Sequence, residues 1–341
     1  MKKQKVTIHD IARELNTTAS TVSRALQGHP RISNAMKKAV LELAQKLNYQ
    51  PNSIASSLRK GKGSTIGIII PLINRYFFAS VIRGIEDVAS KAGYNVIICQ
   101  SYDSFEREKA IVETLTNGKV DGLMVSLASE TSDLAHFKVV QNKGIPLIFF
   151  DRVPLEMDVH KVEIDDFAGA QMAVEHLISQ GCRRIVHFSG PRHISIYKNR
   201  FEGYKAALLN NKIPFDKSLV FDGAITRETG EQAAFVISRM SPLPDSIFSA
   251  GDYSAMGAIL KLKSLGIKVP QDIAVVGFAN EPYDDMLEPG LSSIDQHSME
   301  MGQSVANLFL EEINNVQVAH KSKRIVLKPN LNIRGSSLRK S

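Results

Sequence analysis

Apolar residues recur at helical spacing in the first fifty residues of the chain. Three runs follow one another, with apolar residues at Ile8, Ile11, Ala12 and Leu15, then Val22, Ala25 and Leu26, then Met36, Val40, Leu43 and Leu47. Spacings of three and four place each set on one face of a helix. Thr7 with Asp10, Thr18 and Ser33 are placed to cap the helix starts. We therefore predict three short helices that share one small core.

A polar turn at residues 16–18 separates the first two predicted helices. The second helix then presents Ala19, Ser20, Ser23 and Arg24 outward. Small residues allow close approach to a duplex, and an arginine can donate two hydrogen bonds to one guanine. Two helices joined by a tight turn are typical of the helix-turn-helix that binds the major groove. The alternative is a three-helix domain whose surface arginine is incidental.

Residues 51–63 carry a shorter apolar pattern. Pro51 suits the first position of a helix, and Gly61 and Gly63 end the segment. A helix of about two turns is marginal alone, so we expect it to form on DNA and to insert Leu58 into the minor groove. A flexible linker, in which Leu58 has no specific role, is the alternative.

Beyond residue 63, short apolar runs rich in β-branched residues alternate with amphipathic stretches. Seven runs are predicted as strands, at residues 66–71, 95–100, 122–126, 146–151, 184–190, 246–251 and 273–278. Such runs are typical of parallel sheets covered by helices on both faces. Because residues 64–341 exceed the usual size of one core, we predict two α/β subdomains.

Polar residues follow several of the predicted strands. Ser126, Asp151, Asp252 and Asn280 occupy such positions. In open α/β sheets, ligands bind beyond the carboxyl ends of the strands. We therefore expect these four residues to line one cleft between the two subdomains.

The positive charge of the chain is concentrated at its amino-terminal end. Residues 1–63 hold 12 lysines and arginines and 3 acidic residues, a net charge of +9, whereas the remainder carries a net charge of −2. Basic side chains that neutralise phosphates release condensed counterions. A basic helical head on a nearly neutral body is expected to bind a polyanion, and we predict double-stranded DNA.

Four segments together resemble the DNA-binding head and hinge helix of LacI/GalR-family transcriptional regulators. They are VTIHDIA at 6–12, TVSRAL at 21–26, NYQPN at 48–52 and ASSL at 55–58. The resemblance implies a homodimer on a pseudo-palindromic operator, with Leu58 intercalating and Arg24 among the base-reading residues. The DNA-contacting residues that we expect are Thr7, Thr18, Ala19, Ser20, Thr21, Ser23, Arg24, Asn52, Ala55, Leu58 and Arg59.

The rest of the chain resembles the effector-binding region of the same family, which has the periplasmic-binding-protein fold. The matching segments are Phe77-Phe78 with RGIE at 83–86, and Gly190-Pro191 with RFEGY at 200–204. Arg200 is the strongest candidate for a ligand contact, since its guanidinium can fork onto a carboxylate or adjacent hydroxyls. A structural ion pair is the alternative role for Arg200. The effector-contacting residues that we expect are Phe77, Phe78, Ser126, Asp151, Arg200, Ile225, Asp252, Phe278, Asn280 and Gln296.

Two positions depart from the pattern of many sugar-sensing members of that family. Those members carry Asp after the aromatic residue of the segment VGF at 276–278, where this chain has Ala279 followed by Asn280. They also carry a pocket aromatic five residues before Gly230, where this chain has Ile225. A sugar or sugar derivative is still the expected effector, because the family most often binds this class.

Other chemistry is sparse in the sequence. Cys99 and Cys182 form no CxxC motif and the histidines show no metal-ligand spacing, so we expect no metal, no cofactor and no enzymatic activity. No apolar leader follows the first lysines, and we expect a cytoplasmic protein without a membrane partner. Two alternatives are a solute-binding protein with the same body fold and an enzyme on a doubly wound sheet.

These patterns predict an α/β protein with an N-terminal all-α helix-turn-helix head and a periplasmic-binding-protein-like body of two doubly wound parallel-sheet subdomains. The expected domains are 1–50 for DNA binding, 51–63 for the hinge helix and linker, and 64–341 for effector binding and dimerisation. The expected subdomains are about 64–163 with 295–324, and about 164–294 with 325–338. Only six residues follow LNIRG at 331–335, which favours dimers over tetramers.

Overall fold

The computed structural model describes residues 6–26, 28–47, 49, 64–314 and 321–339. The chain divides into two compact units, Met1–Gly63 and Ser64–Ser341, which we call the head and the body. Among the described residues, no helix combines the length and the apolar content that crossing a membrane requires.

The described residues of the head form three helices that pack around one core. They are α1 (Ile8–Glu14), α2 (Ala19–Leu26) and α3 (Asn34–Lys46). Their facing sides bury Ile11, Val22 and Val40 completely, which confirms the helical periodicity of the sequence. Each such side chain stabilises the folded head by roughly 2 kcal/mol on leaving water.

Side-chain caps fix where the helices of the head begin. The Asp10 carboxylate accepts from the Thr7 backbone N–H at 2.8 Å and from the Thr7 hydroxyl at 2.7 Å. The Thr18 hydroxyl accepts from the Thr21 N–H at 3.2 Å, and α3 begins with a serine cap of the same kind. These bonds satisfy helix-terminal N–H groups, so the turn between α1 and α2 is held short.

The described residues of the body form two six-stranded sheets. The first contains β1 (Thr65–Ile70), β2 (Asn95–Gln100), β3 (Gly122–Val125), β4 (Leu147–Phe150), β5 (His160–Ile164) and β11 (Arg324–Leu327). The second contains β6 (Ile185–Ser189), β7 (Val220–Asp222), β8 (Ser246–Ser249), β9 (Ala274–Ala279), β10 (Ser292–Asp295) and β12 (Asn330–Asn332).

The two sheets have the same strand order. In the first sheet the order is β2-β1-β3-β4-β5-β11, and every described pairing is parallel. In the second it is β7-β6-β8-β9-β10-β12, where the described pairings are parallel except for β10 with β12. The predicted fold of two doubly wound subdomains is confirmed.

The described part of the body has eight α-helices, which cover the faces of the sheets. They are α4 (Tyr76–Ala89), α5 (Phe105–Asn117), α6 (Ala135–Asn142), α7 (Asp166–Ser179), α8 (Ser195–Asn210), α9 (Arg227–Ile237), α10 (Asp252–Ser264) and α11 (Ser298–Asn314). Short 3₁₀ turns occur at Lys217–Leu219 and Pro282–Asp285. Because helices lie on both faces, the central strands are buried almost throughout.

Helices α4 and α11 approach each other closely on the first sheet. Gly84 of α4 and Gly302 of α11 lie at the contact, and a Cβ atom at either residue would overlap the backbone of the other helix. Glycine is therefore required at both positions for this packing.

Along the described residues, the chain passes between the two subdomains three times. Strand β5 leads to α7 through residues 164–166, β10 leads back to α11 through residues 295–298, and β11 leads to β12 through residues 327–330. We call these three stretches the crossing segments. A change in the angle between the subdomains must be absorbed there.

Strand β11 differs from the expected subdomain boundary. The sequence placed residues 325–338 with the second subdomain, but Ile325 pairs with Val162 of β5 in the first sheet. Such a short run does not reveal its partner strand, because pairing between distant strands is decided by tertiary packing. The described residues join the second sheet only at β12.

Candidate DNA-binding face and effector cleft

Helix α2 exposes a face suited to DNA. Ser20 and Arg24 are exposed and lie one turn apart, and the first turn of α2 has no acidic residue. The Arg24 guanidinium makes no hydrogen bond or ion pair with the residues that the structure describes in the head. Since the amino-terminal end of a helix favours phosphate, α2 can dock on the backbone while Arg24 reaches a base.

Ala19 is placed differently from the prediction. The sequence put Ala19 on the outward face, but it is half-buried and packs against the head core. The reason is its spacing, because Ala19 lies three and seven residues before the core residues Val22 and Leu26. Thr7 is exposed, and its hydroxyl is bonded to Asp10.

Thr18, Thr21 and Ser23 complete the described DNA-binding candidates. The Thr18 side chain is exposed, and its hydroxyl lies 3.0 Å from that of Thr21. Thr21 and Ser23 are half-buried. The hinge candidates lie outside the described residues and stay predictions, namely Asn52, Ala55, Leu58 and Arg59.

Arg200 on α8 is the best-connected of the cleft candidates. It is 4% exposed. Its Nε donates to Asp166 Oδ1 at 2.7 Å, its Nη1 to the Ala250 carbonyl at 2.7 Å, and its Nη2 to Gln296 Oε1 at 3.2 Å. The Arg200 Cζ lies 3.7 Å from the centroid of the Phe278 ring. A guanidinium has five N–H donors, so two N–H groups have no partner among the described residues.

The Asp166 carboxyl is buried beside this guanidinium. Burial raises the pKa of Asp166 to about 7, while the charge and the hydrogen bond of Arg200 oppose the shift. Sequence reasoning missed Asp166, because it follows β5, whose sequence HKVEI lacks the apolar run of a buried strand. Arg200 is thus held by a carboxyl group that changes protonation near neutral pH.

The first subdomain contributes a second buried carboxyl, that of Asp151. Asp151 follows β4 and accepts from the Ser126 hydroxyl at 3.0 Å, as expected for residues beyond adjacent strands. Burial raises the pKa of Asp151, and the charges of Arg152 and Arg200 lower it. Arg152 pairs with Asp103, and its Nε is buried without a partner among the described residues. Sequence reasoning missed this second arginine.

Asp252 and Asn280 are bonded within the second subdomain. Asp252 is 1% exposed and accepts from the Ser293 hydroxyl at 2.8 Å and from a backbone N–H at 3.2 Å. The Asn280 amide donates to Asp295 at 3.0 Å and accepts from Arg334 at 2.9 Å. These contacts tie the ends of β9 and β10 together.

The apolar candidates are mostly packed in cores. Phe77 and Phe78 begin α4, and both belong to the core of the first subdomain. Phe278 lies under the Arg200 guanidinium, and Ile225 is half-buried in the loop after β7. The structure therefore groups one part of the predicted site around Arg200. Gln296 and Phe278 contact the Arg200 guanidinium, and its charge acts on the Asp151 carboxyl.

Side-chain contacts between described residues also join the subdomains outside the crossing segments. Arg75, just before α4, places its Cζ 4.0 Å from the centroid of the Tyr253 ring on α10. His193, just before α8, donates from Nε2 to the Ser129 carbonyl at 2.9 Å. Neither contact was foreseen, because each joins residues that are far apart in the sequence.

A cavity of about 640 Å³ lies between the subdomains on the side of His193. Its lining includes Arg152, Ser129 and the first turn of α8, and it contains none of the predicted effector residues. The size lies within the usual range for ligand pockets, although the Arg200 cluster offers the more convergent polar groups. We therefore take the Arg200 cluster as the centre of the candidate site.

A basic helix-turn-helix head and a two-subdomain body with a polar cleft define a DNA-binding regulator that responds to a small molecule. The head matches the family model described as bacterial regulatory proteins, lacI family, over residues 7–52. The body matches the model described as a periplasmic binding protein-like domain over residues 174–337.

Similarity to known proteins covers nearly the whole chain. The ribose operon repressor of Halalkalibacterium halodurans is 31% identical over 307 residues, which are 90% of each chain. The structure of a transcriptional regulator CelR–cellobiose complex has 27% identity and a TM-score of 0.73, over 97% of this chain and 100% of that one. The lac repressor dimer bound to operator and the anti-inducer ONPF has 23% identity and a TM-score of 0.86, over 98% and 100%. The chain belongs to the LacI family of transcriptional regulators.

Proposed function

We propose that this protein is a repressor that binds operator DNA through α2 and changes its operator affinity when a small molecule occupies the cleft. The observation that carries the DNA part is the exposed face of α2, on which Arg24 has no partner among the described residues. An arginine so placed can donate to guanine N7 and O6 at no cost in broken protein contacts.

The proposed DNA-binding form is a homodimer on a pseudo-palindromic operator. Apolar side chains exposed on the first subdomain support a second copy as the partner, since large exposed apolar groups in one region mark interaction surfaces. They include Ile73 at 51%, Tyr76 at 50%, Ile97 at 44% and Ile98 at 41% exposure. The DNA contacts proposed for Asn52, Ala55, Leu58 and Arg59 would come from the segment between head and body.

The proposed effector is a sugar or sugar derivative. Two free N–H groups of Arg200 and the acceptor Asp151 suit a ligand whose neighbouring hydroxyls both donate and accept. One relative is named a ribose operon repressor, and one similar structure is a cellobiose complex. Asp252 and Asn280 would support the site without contacting the ligand, because they hold the ends of β9 and β10 in place.

The proposal assigns binding and no catalytic step to the chain, because its relatives are named as repressors and regulators. We propose that the protein acts on operator DNA in the cytoplasm. Residues 51–63 are proposed as the hinge that transmits the state of the body to the head, and the subdomain boundaries are proposed at the three crossing segments.

The DNA part is tested by selecting binding sites from random duplexes with the full-length protein. We expect an enriched pseudo-palindrome with a guanine at a fixed place in each half-site. Recovery of unrelated sequences, with affinity that depends only on salt, would refute sequence-specific recognition. The oligomeric state is measured on the same sample by analytical ultracentrifugation.

The effector part is tested by thermal-shift screening of neutral sugars, sugar acids, polyols and nucleosides. A ligand that binds the folded body raises its apparent stability by mass action. Each compound that raises the Tm is then added to the complex with the selected operator. We expect at least one such compound to change operator affinity, and a stabilising compound without that effect would not be the effector.

A further inference from the structure

The Arg200 guanidinium contacts two of the three crossing segments. Its Nε donates to Asp166, the last residue of the first crossing segment, at 2.7 Å. Its Nη2 donates to Gln296 in the second crossing segment at 3.2 Å. One planar group therefore joins two of the connections between the subdomains.

The guanidinium is held firmly on the side of the second subdomain. It lies on the Phe278 ring at 3.7 Å, and its Nη1 donates to the Ala250 carbonyl at the end of β8 at 2.7 Å. The five N–H donors of arginine point in fixed directions within one plane. Asp166 and Gln296 lie where the first two crossing segments meet the second subdomain, so the guanidinium fixes the points from which both segments leave that subdomain.

The Asp166 carboxyl is not needed to begin α7. The neighbouring Asp165 caps that helix, since its side chain accepts from the Ala168 N–H at 2.9 Å. The Asp166 side chain is 4% exposed, and a carboxyl is costly to bury unless it is paired. Pairing with Arg200 is therefore its main described interaction.

The charge of Arg200 also acts on a carboxyl group of the first subdomain. The guanidinium lowers the pKa of Asp151, which follows β4 of that subdomain, against the effect of burial. Two N–H groups of Arg200 are without partners among the described residues. A ligand oxygen that accepts from them would act on the same group that holds the crossing segments.

We propose that the Arg200 guanidinium is a pin that fixes the angle between the two subdomains, and that Asp166 is the residue that positions it. A ligand in the cleft then alters the angle between the subdomains directly, because it competes for or reinforces the hydrogen bonds of the Arg200 guanidinium. The ligand part of this inference rests on the proposed function. The pin itself can be tested without ligand or DNA.

The experiment measures the distance between the subdomains in the full-length protein by single-molecule fluorescence energy transfer. Dyes are attached through noncanonical residues at the exposed positions Lys109 on α5 and Lys212 after α8. The variants are Asp166→Ala and Asp166→Asn. The matched control is Asp165→Asn, which makes the same change of charge one residue away and keeps a side chain suited to capping.

We expect one narrow distance distribution for the parent and for Asp165→Asn. Asp166→Ala should broaden the distribution or add a second population, and Asp166→Asn should have a smaller effect, since its amide oxygen still accepts from Arg200. Amide exchange in the first two crossing segments should become about tenfold faster in Asp166→Ala, as expected for the loss of one charge-assisted hydrogen bond.

Formate is the probe that separates a pin from general destabilisation. Formate is small enough to replace the missing carboxylate, so it should narrow the distribution of Asp166→Ala and leave the control unchanged. A folded Asp166→Ala with the distribution of the parent would overturn the proposal, as would equal broadening in Asp165→Asn. If Asp166→Ala does not fold, the test rests on Asp166→Asn. The proposal would then be overturned if amide exchange in the first two crossing segments of Asp166→Asn were as slow as in the parent.

Discussion

Arg24 of the head is exposed and its guanidinium makes no hydrogen bond or ion pair with the described residues, whereas Arg200 of the body is 4% exposed and donates three hydrogen bonds. An exposed arginine keeps its side-chain freedom until DNA is bound, so its loss should affect binding alone. A buried arginine takes part in the packing around it, so its loss should affect stability and conformation. The comparison predicts two different phenotypes for the same Arg→Ala change.

The largest expected effect is that of Arg200→Ala on stability. The change leaves Asp166 buried without its partner, and we expect the free energy of unfolding of the body to fall by about 3 kcal/mol. Urea denaturation of the full-length protein measures this loss. The double variant Arg200→Ala with Asp166→Asn should recover part of it, because a neutral amide needs no counter-charge. An unchanged denaturation midpoint in Arg200→Ala would contradict the view that Arg200 is part of the packing.

The next largest effect concerns Leu58 in the segment between head and body. We expect Leu58→Ala to weaken operator binding by about 2 kcal/mol and to reduce bending, since an apolar wedge offsets the cost of unstacking a base step. Gel-shift and bending assays measure both. Dimerisation and effector binding should be retained. Leu41→Ala is the control, because Leu41 is 54% exposed on α3 and makes no proposed DNA contact. Parental bending by Leu58→Ala would favour the linker alternative.

Arg24→Ala should weaken specific operator binding by about 1–3 kcal/mol and relax the preference at one guanine in each half-site. The Tm should stay that of the parent, which is the point that separates Arg24 from Arg200. Arg13→Ala is a suitable control, because Arg13 is a largely exposed arginine of the same head whose guanidinium pairs with Asp10. Base preference is measured by repeating the site selection, and an unchanged preference would remove Arg24 from the interface.

The smallest expected effect is the dependence of stability on pH. Burial raises the pKa of Asp166 and of Glu281 to about 7, above the unfolded values, so the folded body binds these protons more tightly. Their contribution to stability is fully present below the unfolded pKa values and is lost as the pH rises from about 4 to about 7. We expect the Tm of Asp166→Asn to change less than that of the parent between about pH 4 and about pH 7. If the Tm of Asp166→Asn and that of the parent change equally with pH, the raised pKa of Asp166 would be contradicted.

The sequence predicts the strands that follow the rule for buried parallel sheets and misses those that do not. Seven apolar runs correspond to β1, β2, β3, β4, β6, β8 and β9. Strand β5 was missed because Lys161 and Glu163 interrupt its pattern, yet both side chains are at least nine-tenths buried. Strands β7 and β12 have three residues each, too few for a period to appear.

In the candidate site, too, some features follow from the sequence pattern and others do not. Ser126 and Asp151 could be placed together from the sequence, because parallel neighbours end at one edge of a sheet. Asp166 could not be connected to Arg200, since the pairing depends on how α7 and α8 pack on the second sheet. Local pattern predicts the ends of strands, whereas partners across helices are set by tertiary packing.

The central claim is that Arg24 reads bases and Arg200 responds to the effector. Operator titrations of the parent and of Arg200→Ala test this claim most directly, each with and without the compound identified by the thermal-shift screen. We predict that the compound changes the operator affinity of the parent and leaves that of Arg200→Ala unchanged. An Arg200→Ala protein that responds to the compound as the parent does would contradict the account.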